Sequence, residues 1–294
     1  MKKAGAMPLT FIPTPLGNMR DVTLRALDVL READLIVAED TRLARKLLTA
    51  LGITGRELWS YREQNAPAVT PGILERARSQ RVAVTTDAGM PGISDPGSEL
   101  VAAARAAGIA VEVLPGPSAA FAVALLSGFP LRRFCFEGFV PRTTGARRER
   151  FAAALRSGAT TLWYESPRRI LSSLSDLSGV APEARLFLVR ELSKLHEQQL
   201  AGTPAEVCAQ LQDPVRGEIA FAIAPGPPAD NRTAADAEID ALLARGYGVR
   251  EVAKTLAGQG RGDRRELYAR AVARRRATAG GESAQLFETL RRKR

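Results

Sequence analysis

Short apolar strands alternate with helices along the first part of this chain, and this alternation constrains its fold more than any other feature. We predict strands at 9–15, 35–38, 81–86 and 111–114. Each strand is followed by a turn and then by a stretch that reads as helical. Such alternation is typical of a parallel sheet covered by helices, with ligand sites at the carboxyl ends of the strands. The sequence therefore predicts an α/β fold.

The same pattern restarts after Gly128-Phe129-Pro130, which predicts a second α/β domain. Its predicted strands are 134–137, 160–164, 185–190 and 217–223. The breaker cluster Pro225-Gly226-Pro227-Pro228 indicates a further boundary, and short amphipathic helices follow it. We therefore expect an N-terminal α/β domain at 1–130, a second α/β domain at 131–229 and a basic helical C-terminal extension at 230–294.

The positive charge is concentrated at the end of the chain. The formal net charge is +10 over 294 residues, and the segment 261–294 carries eleven basic and four acidic side chains. That segment contributes +7, so the first 260 residues carry only +3. A basic segment on a nearly balanced body favours a phosphate-rich partner, and a solvated arginine-rich tail is the alternative.

Several classes of protein are excluded by what the sequence lacks. Two cysteines, Cys135 and Cys208, and one histidine, His196, exclude zinc fingers, iron–sulfur clusters and a disulfide scaffold. The sequence has no P-loop and no Gly-x-Ser-x-Gly nucleophile elbow. The apolar runs are too short to span a bilayer and no secretory signal is visible. We expect a reduced, cytoplasmic protein with no metal centre and no membrane partner.

Three turns rich in glycine and proline follow predicted strands of the first domain, at 13–18, 87–97 and 115–119. Glycine lets the main chain approach a ligand closely, and a helix that begins at such a turn offers unpaired N–H donors. Asp87 and Asp95 could accept hydrogen bonds from ribose hydroxyls or an ammonium group, and they would repel a phosphate. The turns therefore predict a site for a zwitterionic or cationic ligand, with plain tight turns as the alternative.

The three turns resemble the S-adenosylmethionine-binding loops of the tetrapyrrole-methylase (class III) methyltransferase superfamily. More narrowly, five segments resemble the bacterial 16S rRNA cytidine 2′-O-methyltransferase family. They are Pro13–Asn18, Ala38–Arg42, Asp87–Gly97, Tyr164–Pro167 and Arg190–Lys194. The chain departs from the family pattern at Arg62, Gln64, Met90 and Arg168, and also after the final strand, where Ala224-Pro225-Gly226 stands in place of an acid-glycine pair.

The resemblance implies two tetrapyrrole-methylase-type α/β domains with S-adenosylmethionine in the cleft between them, usually in a homodimer. It implies a set of donor-binding residues, which are Pro15, Leu16, Asp87, Gly89, Met90, Ser118, Ala119, Tyr164 and Leu192. A sulfonium carries an activated methyl group, so this chemistry needs neither a metal nor a covalent nucleophile. The absence of histidine and cysteine clusters is consistent with that chemistry.

The implied acceptor is a cytidine ribose in the decoding region of 16S rRNA, within the small ribosomal subunit. A ribose 2′-hydroxyl is a poor nucleophile at neutral pH, so it must be aligned and must lose its proton. The predicted acceptor-binding residues are Asn18, Glu39, Asp40, Arg42 and Arg190. Glu165 is the predicted general base and Lys194 the predicted electrostatic helper. Structural ion pairs are the alternative for Glu39–Arg42 and Arg190–Glu191.

RNA contacts are expected from the basic C-terminal helices and from four arginines that follow the Gly138–Pro141 turn, namely Arg142, Arg147, Arg148 and Arg150. Two other functions compete with rRNA methylation. One is methylation of a small tetrapyrrole or corrinoid precursor, and the other is a non-catalytic, basic ribosome-assembly factor.

Overall fold

The computed structural model describes residues 8–226, 231–259 and 262–275, with the backbone alone at 231–235. The chain divides into two compact units between Pro225 and Gly226. The first unit contains two five-stranded sheets with their helices, which confirms the predicted α/β class. Residues 227–230, around the predicted start of the extension, lie outside the described part of the chain.

The first sheet is parallel throughout, with strand order β3-β2-β4-β1-β5. Its strands are β1 (Leu9–Ile12), β2 (Leu35–Ala38), β3 (Glu57–Ser60), β4 (Val82–Thr85) and β5 (Val111–Val113). Its helices are α1 (Leu24–Glu32), α2 (Thr41–Ala50), α3 (Ala66–Ala77), α4 (Ser98–Ala106) and α5 (Ala119–Leu126). A 3-10 turn, Met19–Asp21, follows the first predicted glycine turn.

The central strands of this sheet are buried along their whole length because apolar clusters cover both faces. All residues of β1, β2 and β4 are buried. Leu9 and Phe11 pack into the cluster on one face, whereas Ile12 packs into the cluster on the other. Burial on both faces explains why these strands are continuous apolar runs in the sequence, and such runs were predictable.

The second sheet is mixed, with strand order β6-β7-β10-β8-β9. Its strands are β6 (Phe134–Phe139), β7 (Thr160–Glu165), β8 (Leu186–Arg190), β9 (Gln198–Gly202) and β10 (Ile219–Ile223). Its helices are α6 (Thr144–Arg156), α7 (Ile170–Val180) and α8 (Pro204–Gln210). β10 runs antiparallel to both of its neighbours, and Trp163 packs between Phe151 and Phe221 in the core.

The second unit is helical in its described residues, as the sequence predicts. It contains α9 (Asn231–Ala244), α10 (Val249–Gly258) and a third helix at 264–275. Ile239, Val252, Leu256 and Leu267 form its apolar core. Arg270 and Arg274 form ion pairs with Asp236 on α9. The basic residues after 275 lie outside the described part of the chain.

Across the described ranges, no helix combines the length and the apolar character that crossing a bilayer requires.

Candidate active site

A cavity of about 350 Å³ lies in the first unit and is lined by residues from both sheets. The first half of the unit, which is built on the first sheet, contributes Leu16, Glu39, Asp87, Ala88, Gly89, Met90, Ile93, Ser94, Asp95, Ser118 and Ala119. The second half contributes Phe139, Tyr164, Glu165, Ser166, Pro167, Val189, Leu192, Gly217, Glu218, Ile219 and Ala220. A cleft of this size, formed at strand ends, suits a small molecule.

The first two glycine-rich turns are joined by main-chain hydrogen bonds at the cavity. Thr14 N–H donates to the carbonyl oxygen of Gly89 at 2.9 Å, and Gly89 N–H donates to that of Thr14 at 3.0 Å. Gly89 has a φ of +81°, and a Cβ there would lie 3.1 Å from Cδ2 of Leu16. Glycine is therefore required at position 89 for its backbone conformation, and the neighbouring side chain leaves little room for a substituent.

The third turn delivers the start of α5 to the same cavity. Ser118 precedes the helix and its side chain makes no capping hydrogen bond. The first N–H groups of a helix have no partner within the helix, so they can serve an adjacent polar group. The Ala120 N–H is hydrogen-bonded to the Tyr164 hydroxyl and opposes a rise in its pKa. Burial dominates and raises the pKa of Tyr164, and the charge of Asp95 acts in the same direction.

Three carboxylates line the cavity close enough to repel one another, those of Glu39, Asp87 and Asp95. Thr86 Oγ1 donates to Oε2 of Glu39 at 3.2 Å. Burial raises the pKa of all three carboxyl groups, and repulsion from a neighbouring carboxylate adds to each rise. The pKa of Asp95 reaches about 6. The cluster therefore favours cations and holds one carboxyl group that titrates close to neutral pH.

Asp40 and Arg42 form a structural pair beside the cavity and do not line it. Asp40 Oδ1 accepts a hydrogen bond from Arg42 N–H at 2.8 Å, which caps α2. The Arg42 guanidinium also donates to both Asp40 oxygens, at 3.1 and 2.6 Å, and this contact lowers the pKa of Asp40. The geometry matches the ion-pair alternative for Arg42, although with Asp40 as its partner in place of Glu39.

Glu165 reaches the cavity wall, but its carboxylate faces inward and its side chain is 0% exposed. Three donors occupy the carboxylate. They are Ser166 N–H at 2.6 Å, Ser173 Oγ at 2.6 Å and Arg169 Nη2 at 2.5 Å. A general base needs an oxygen within reach of the proton that it removes. This geometry gives no support to the predicted base role and favours a positioning role, in which Glu165 fixes the start of α7.

Lys194 also lies outside the cavity lining, and its charge is neutralised locally. Its Nζ donates to Glu191 Oε1 at 2.9 Å and to Glu218 Oε2 at 3.1 Å. A side chain at Gly17 would clash with Cγ of Lys194, and Ser193 Oγ donates to Asp21. The segment 191–194 therefore connects the second sheet to the first turn of the chain, and Lys194 supports one edge of the cavity.

The remaining predicted residues divide according to whether they line the cavity. Eight of the nine predicted donor-binding residues line it, namely Leu16, Asp87, Gly89, Met90, Ser118, Ala119, Tyr164 and Leu192. Pro15 is outside the lining and adjoins Leu16. Asn18 caps the 3-10 turn by accepting a hydrogen bond from Arg20 N–H. Arg190 lines a second cavity, where it donates to Gln198 and to the carbonyl oxygen of Arg216.

Some lining residues were absent from the predicted set. Asp95 is predicted, with Asp87, to accept hydrogen bonds from ribose hydroxyls or an ammonium group, but it is assigned to neither the donor-binding nor the acceptor-binding set. Phe139, Ile93 and Glu218 carried no comparable signal, because an apolar side chain or a strand-end glutamate reads equally well as core or surface.

The arginines that follow the Gly138–Pro141 turn are mostly engaged with acidic partners. The side chain of Arg147 is only 8% exposed, and its Nε donates to Asp176 Oδ2 at 2.7 Å. Arg148 donates to the other oxygen of Asp176 at 2.9 Å, and Arg150 pairs with Glu137. Burial makes the prediction of an RNA contact wrong for Arg147, which has a structural role in joining α6 to α7.

Comparisons with known proteins agree with this architecture. The family described as Tetrapyrrole (Corrin/Porphyrin) Methylases matches residues 8–208. Ribosomal RNA small subunit methyltransferase I of Mycobacterium tuberculosis is 38% identical over 274 residues, covering 91% of this chain and 95% of that protein. The protein of the same name from Thermotoga maritima is 40% identical over 206 residues, covering 69% and 91%. A crystal structure of diphthine synthase shares the fold, with a TM-score of 0.60 at 18% identity, covering 74% of this chain and 89% of that one.

Proposed function

Because the chain belongs to the ribosomal RNA small subunit methyltransferase I family of the tetrapyrrole methylases, we propose that it methylates a ribose 2′-oxygen of a cytidine in 16S rRNA. The methyl donor is S-adenosylmethionine and the substrate is the decoding region of the small ribosomal subunit. The observation that carries the proposal is the single cavity in which all three glycine-rich turns meet Tyr164 and Leu192 of the second sheet.

The residues of this cavity fit the donor in size, polarity and charge. The cavity volume of about 350 Å³ falls within the range that is typical of small-molecule sites in proteins. Glu39, Asp87 and Asp95 complement a sulfonium and an ammonium group, whereas Leu16, Met90 and Leu192 offer apolar contacts. When bound, S-adenosylmethionine supplies a methyl group that is already electrophilic. We assign its binding to the eight predicted residues that line the cavity, with Pro15 shaping the turn that presents Leu16.

The chain's own residues then have two tasks. They hold the ribose hydroxyl in line with the methyl–sulfur bond of the donor, and they take up the proton of that hydroxyl. We assign the proton to the carboxylate cluster and, within it, to Asp95, because a base whose pKa lies near the working pH accepts a proton most effectively. Glu39 lies beside it with an oxygen held by Thr86 and is positioned to bind the sugar. Asp40 and Arg42 shape this edge by capping α2.

The proposal is tested by supplying the purified protein with methyl-labelled S-adenosylmethionine and unmodified small ribosomal subunits. We expect label in 16S rRNA at one cytidine, and resistance of the adjoining phosphodiester to alkali, which marks a 2′-O-methyl group. Label in a corrinoid or porphyrin precursor instead would favour the small-molecule alternative. Donor binding without transfer to either substrate would favour the assembly-factor alternative.

Two further features of the proposal concern partners and place. A homodimer is supported by exposed apolar side chains on and beside α5, namely Phe121, Leu125 and Leu126 on the helix and Phe134 on β6. The rings of Phe121 and Phe134 pack edge to face with centroids 6.0 Å apart. Exposed apolar surfaces of this kind mark protein interfaces. A ribosomal substrate places the reaction in the cytoplasm.

A further inference from the structure

An exposed phenylalanine stands at the cavity, and the proposed chemistry leaves it without a role. Phe139 ends β6, lines the cavity and is 56% exposed. The aromatic rings in the core of the same sheet, those of Phe151, Trp163 and Phe221, are fully buried. A ring of this size left half in water beside a ligand cavity is available to contact a ligand.

A β-bulge turns Phe139 toward the cavity. The pairing of β6 with β7 shifts between Phe136, opposite Leu162, and Gly138, opposite Trp163. Glu137 is therefore the extra residue, and Gly138 takes a φ of +73°. Residues an odd number apart on a regular strand point to opposite faces. Phe136 and Phe139 are three residues apart, so on a regular strand their rings would lie on opposite faces. The extra residue of the bulge places both rings on the same face, where they pack against Tyr164 at centroid distances of 5.0 and 5.7 Å.

A second exposed apolar side chain comes from the loop between β4 and α4. Ile93 lines the same cavity and is 42% exposed. The next residue, Ser94, has a φ of +65°, and its Oγ lies 3.8 Å from the position that a Cβ on Gly138 would occupy. The loop of one half and the bulge of the other therefore meet, and each presents an apolar side chain beside the point of contact.

The chemistry of this surface selects one part of an RNA substrate. The carboxylates of Glu39, Asp87 and Asp95 repel phosphate groups, so the cavity is unsuited to the RNA backbone. Proteins that recognise an RNA nucleotide by sequence bind its unstacked base against aromatic side chains, and enzymes that act on a base likewise take it out of the stack. We propose that Phe139, together with Ile93, binds the nucleobase of the acceptor nucleotide after it leaves the stack. This inference rests on the proposed rRNA methylation.

The test separates binding of the acceptor from binding of the donor. Methyl transfer to small ribosomal subunits is measured at varied subunit concentration, and donor affinity is measured by calorimetry. Loss of one base–aromatic contact in Phe139→Ala should raise KM for the subunits by roughly 10- to 100-fold. The dissociation constant of the donor should stay within about twofold of the unsubstituted protein, because this ring is assigned to the other substrate. Phe139→Trp should restore most of the affinity for the subunits, because it keeps an aromatic face.

Salt dependence provides a second readout. A stacking contact releases no counterions, so Phe139→Ala should leave unchanged the slope of log(kcat/KM) against log salt concentration. Leu24→Ala is the matched control, because Leu24 is an exposed apolar residue on α1 outside the cavity, and it should change neither KM nor the donor affinity.

Two results would overturn the inference while leaving the proposed function intact. One is unchanged KM in Phe139→Ala, and the other is a parallel loss of donor affinity, which would assign the ring to the donor's adenine. Absence of methyl transfer by the unsubstituted protein is the separate result that contradicts the proposed function itself. Because Phe139 is half exposed, melting curves of each variant should match those of the unsubstituted protein, and a lowered melting temperature would count against a binding role.

Discussion

At the scale of single residues, the meaning of a carboxylate in this chain depends on its partners. Glu165 and Asp95 both line the cavity, yet Glu165 is enclosed by Ser166, Arg169 and Ser173, whereas Asp95 faces other negative charges. A carboxylate enclosed by donors stabilises the structure, whereas burial, with the neighbouring negative charges adding to it, raises the pKa of Asp95 to about 6. This contrast yields opposite expectations for the two substitutions.

For Glu165→Gln we expect a stability defect of roughly 3 kcal/mol in the free energy of unfolding, because the substitution removes a buried charge from its partner Arg169. Arg169 already has one buried nitrogen, Nη1, without a hydrogen-bond partner. The pH dependence of turnover should keep its shape. Chemical denaturation measures the first effect and a pH profile the second.

Glu57→Gln is the matched control for that experiment, since Glu57 pairs with Arg76 at the surface and should contribute less than about 1 kcal/mol. A normal denaturation curve for Glu165→Gln together with a collapse of turnover would restore the base role to Glu165.

Asp95→Asn should show the opposite behaviour. With the pKa of Asp95 at about 6, the carboxyl group gains its charge as pH rises through that value, so kcat/KM of the unsubstituted protein should rise over the same interval. The variant should lose this limb and roughly 10²- to 10⁴-fold of its turnover. Steady-state kinetics between pH 5 and pH 8 would measure both effects.

Stability gives an independent check on the same residue. A folded-state pKa raised above the value of the unfolded chain means that the folded state is favoured by protonation and is destabilised as pH rises. Asp95→Asn should therefore melt at a higher temperature than the unsubstituted protein at pH 7.5, with the difference vanishing near pH 4. An equal melting temperature at both pH values would contradict the raised pKa.

At the scale of elements, the sequence was most informative where burial is complete on both faces. β1, β2 and β4 were predictable as apolar runs, and the turns after them indicated the cavity. β3 and β9 were missed because they are edge strands with polar residues, such as Glu57 and Gln199, that follow no clear alternation.

The role of Phe139 was beyond prediction for a related physical reason. The direction of its ring depends on a bulge, and a bulge is a property of the pairing between β6 and β7. Similarly, the identity of Glu165 as a carboxylate is visible in the sequence, but the turn that aims Ser166 N–H and Arg169 at it and the position of Ser173 on α7 are set by the fold.

The helical extension should act on RNA binding more than on donor binding. Ending the chain after Pro225 removes a separate compact unit and the +7 charge of 261–294. We expect kcat/KM for small ribosomal subunits to fall by at least about tenfold, with a smaller salt dependence, because phosphate contacts release counterions. Donor affinity, measured by calorimetry, should change by less than about twofold.

Replacing Arg264 and Arg265 together by glutamate is the milder companion to that truncation. Both side chains are exposed, so the apolar core around Leu267 should persist. This double variant should also lower kcat/KM for small ribosomal subunits. Equal losses of donor affinity and subunit affinity after truncation would instead make the extension a purely structural element.

At the scale of the whole molecule, the apolar surface around α5 sets the expected assembly. Leu125 is 75% exposed and Phe121 is 65% exposed on a helix without a charged residue. We expect sedimentation at twice the chain mass of 31.6 kDa, and dissociation to monomers in Leu125→Asp, because a charge would be buried without a partner. Leu24→Asp, at an equally exposed apolar site on α1, should remain dimeric.

The contact between Gly17 and Lys194 has a consequence for how such chains diverge. A side chain at position 17 would overlap Cγ of Lys194 and lie 3.2 Å from the carbonyl oxygen of Leu192. A lineage can therefore acquire a larger residue at 17 only after position 194 has shortened or its segment has shifted. The order of those two mutations is constrained by geometry, and positions far apart in the gene are expected to covary.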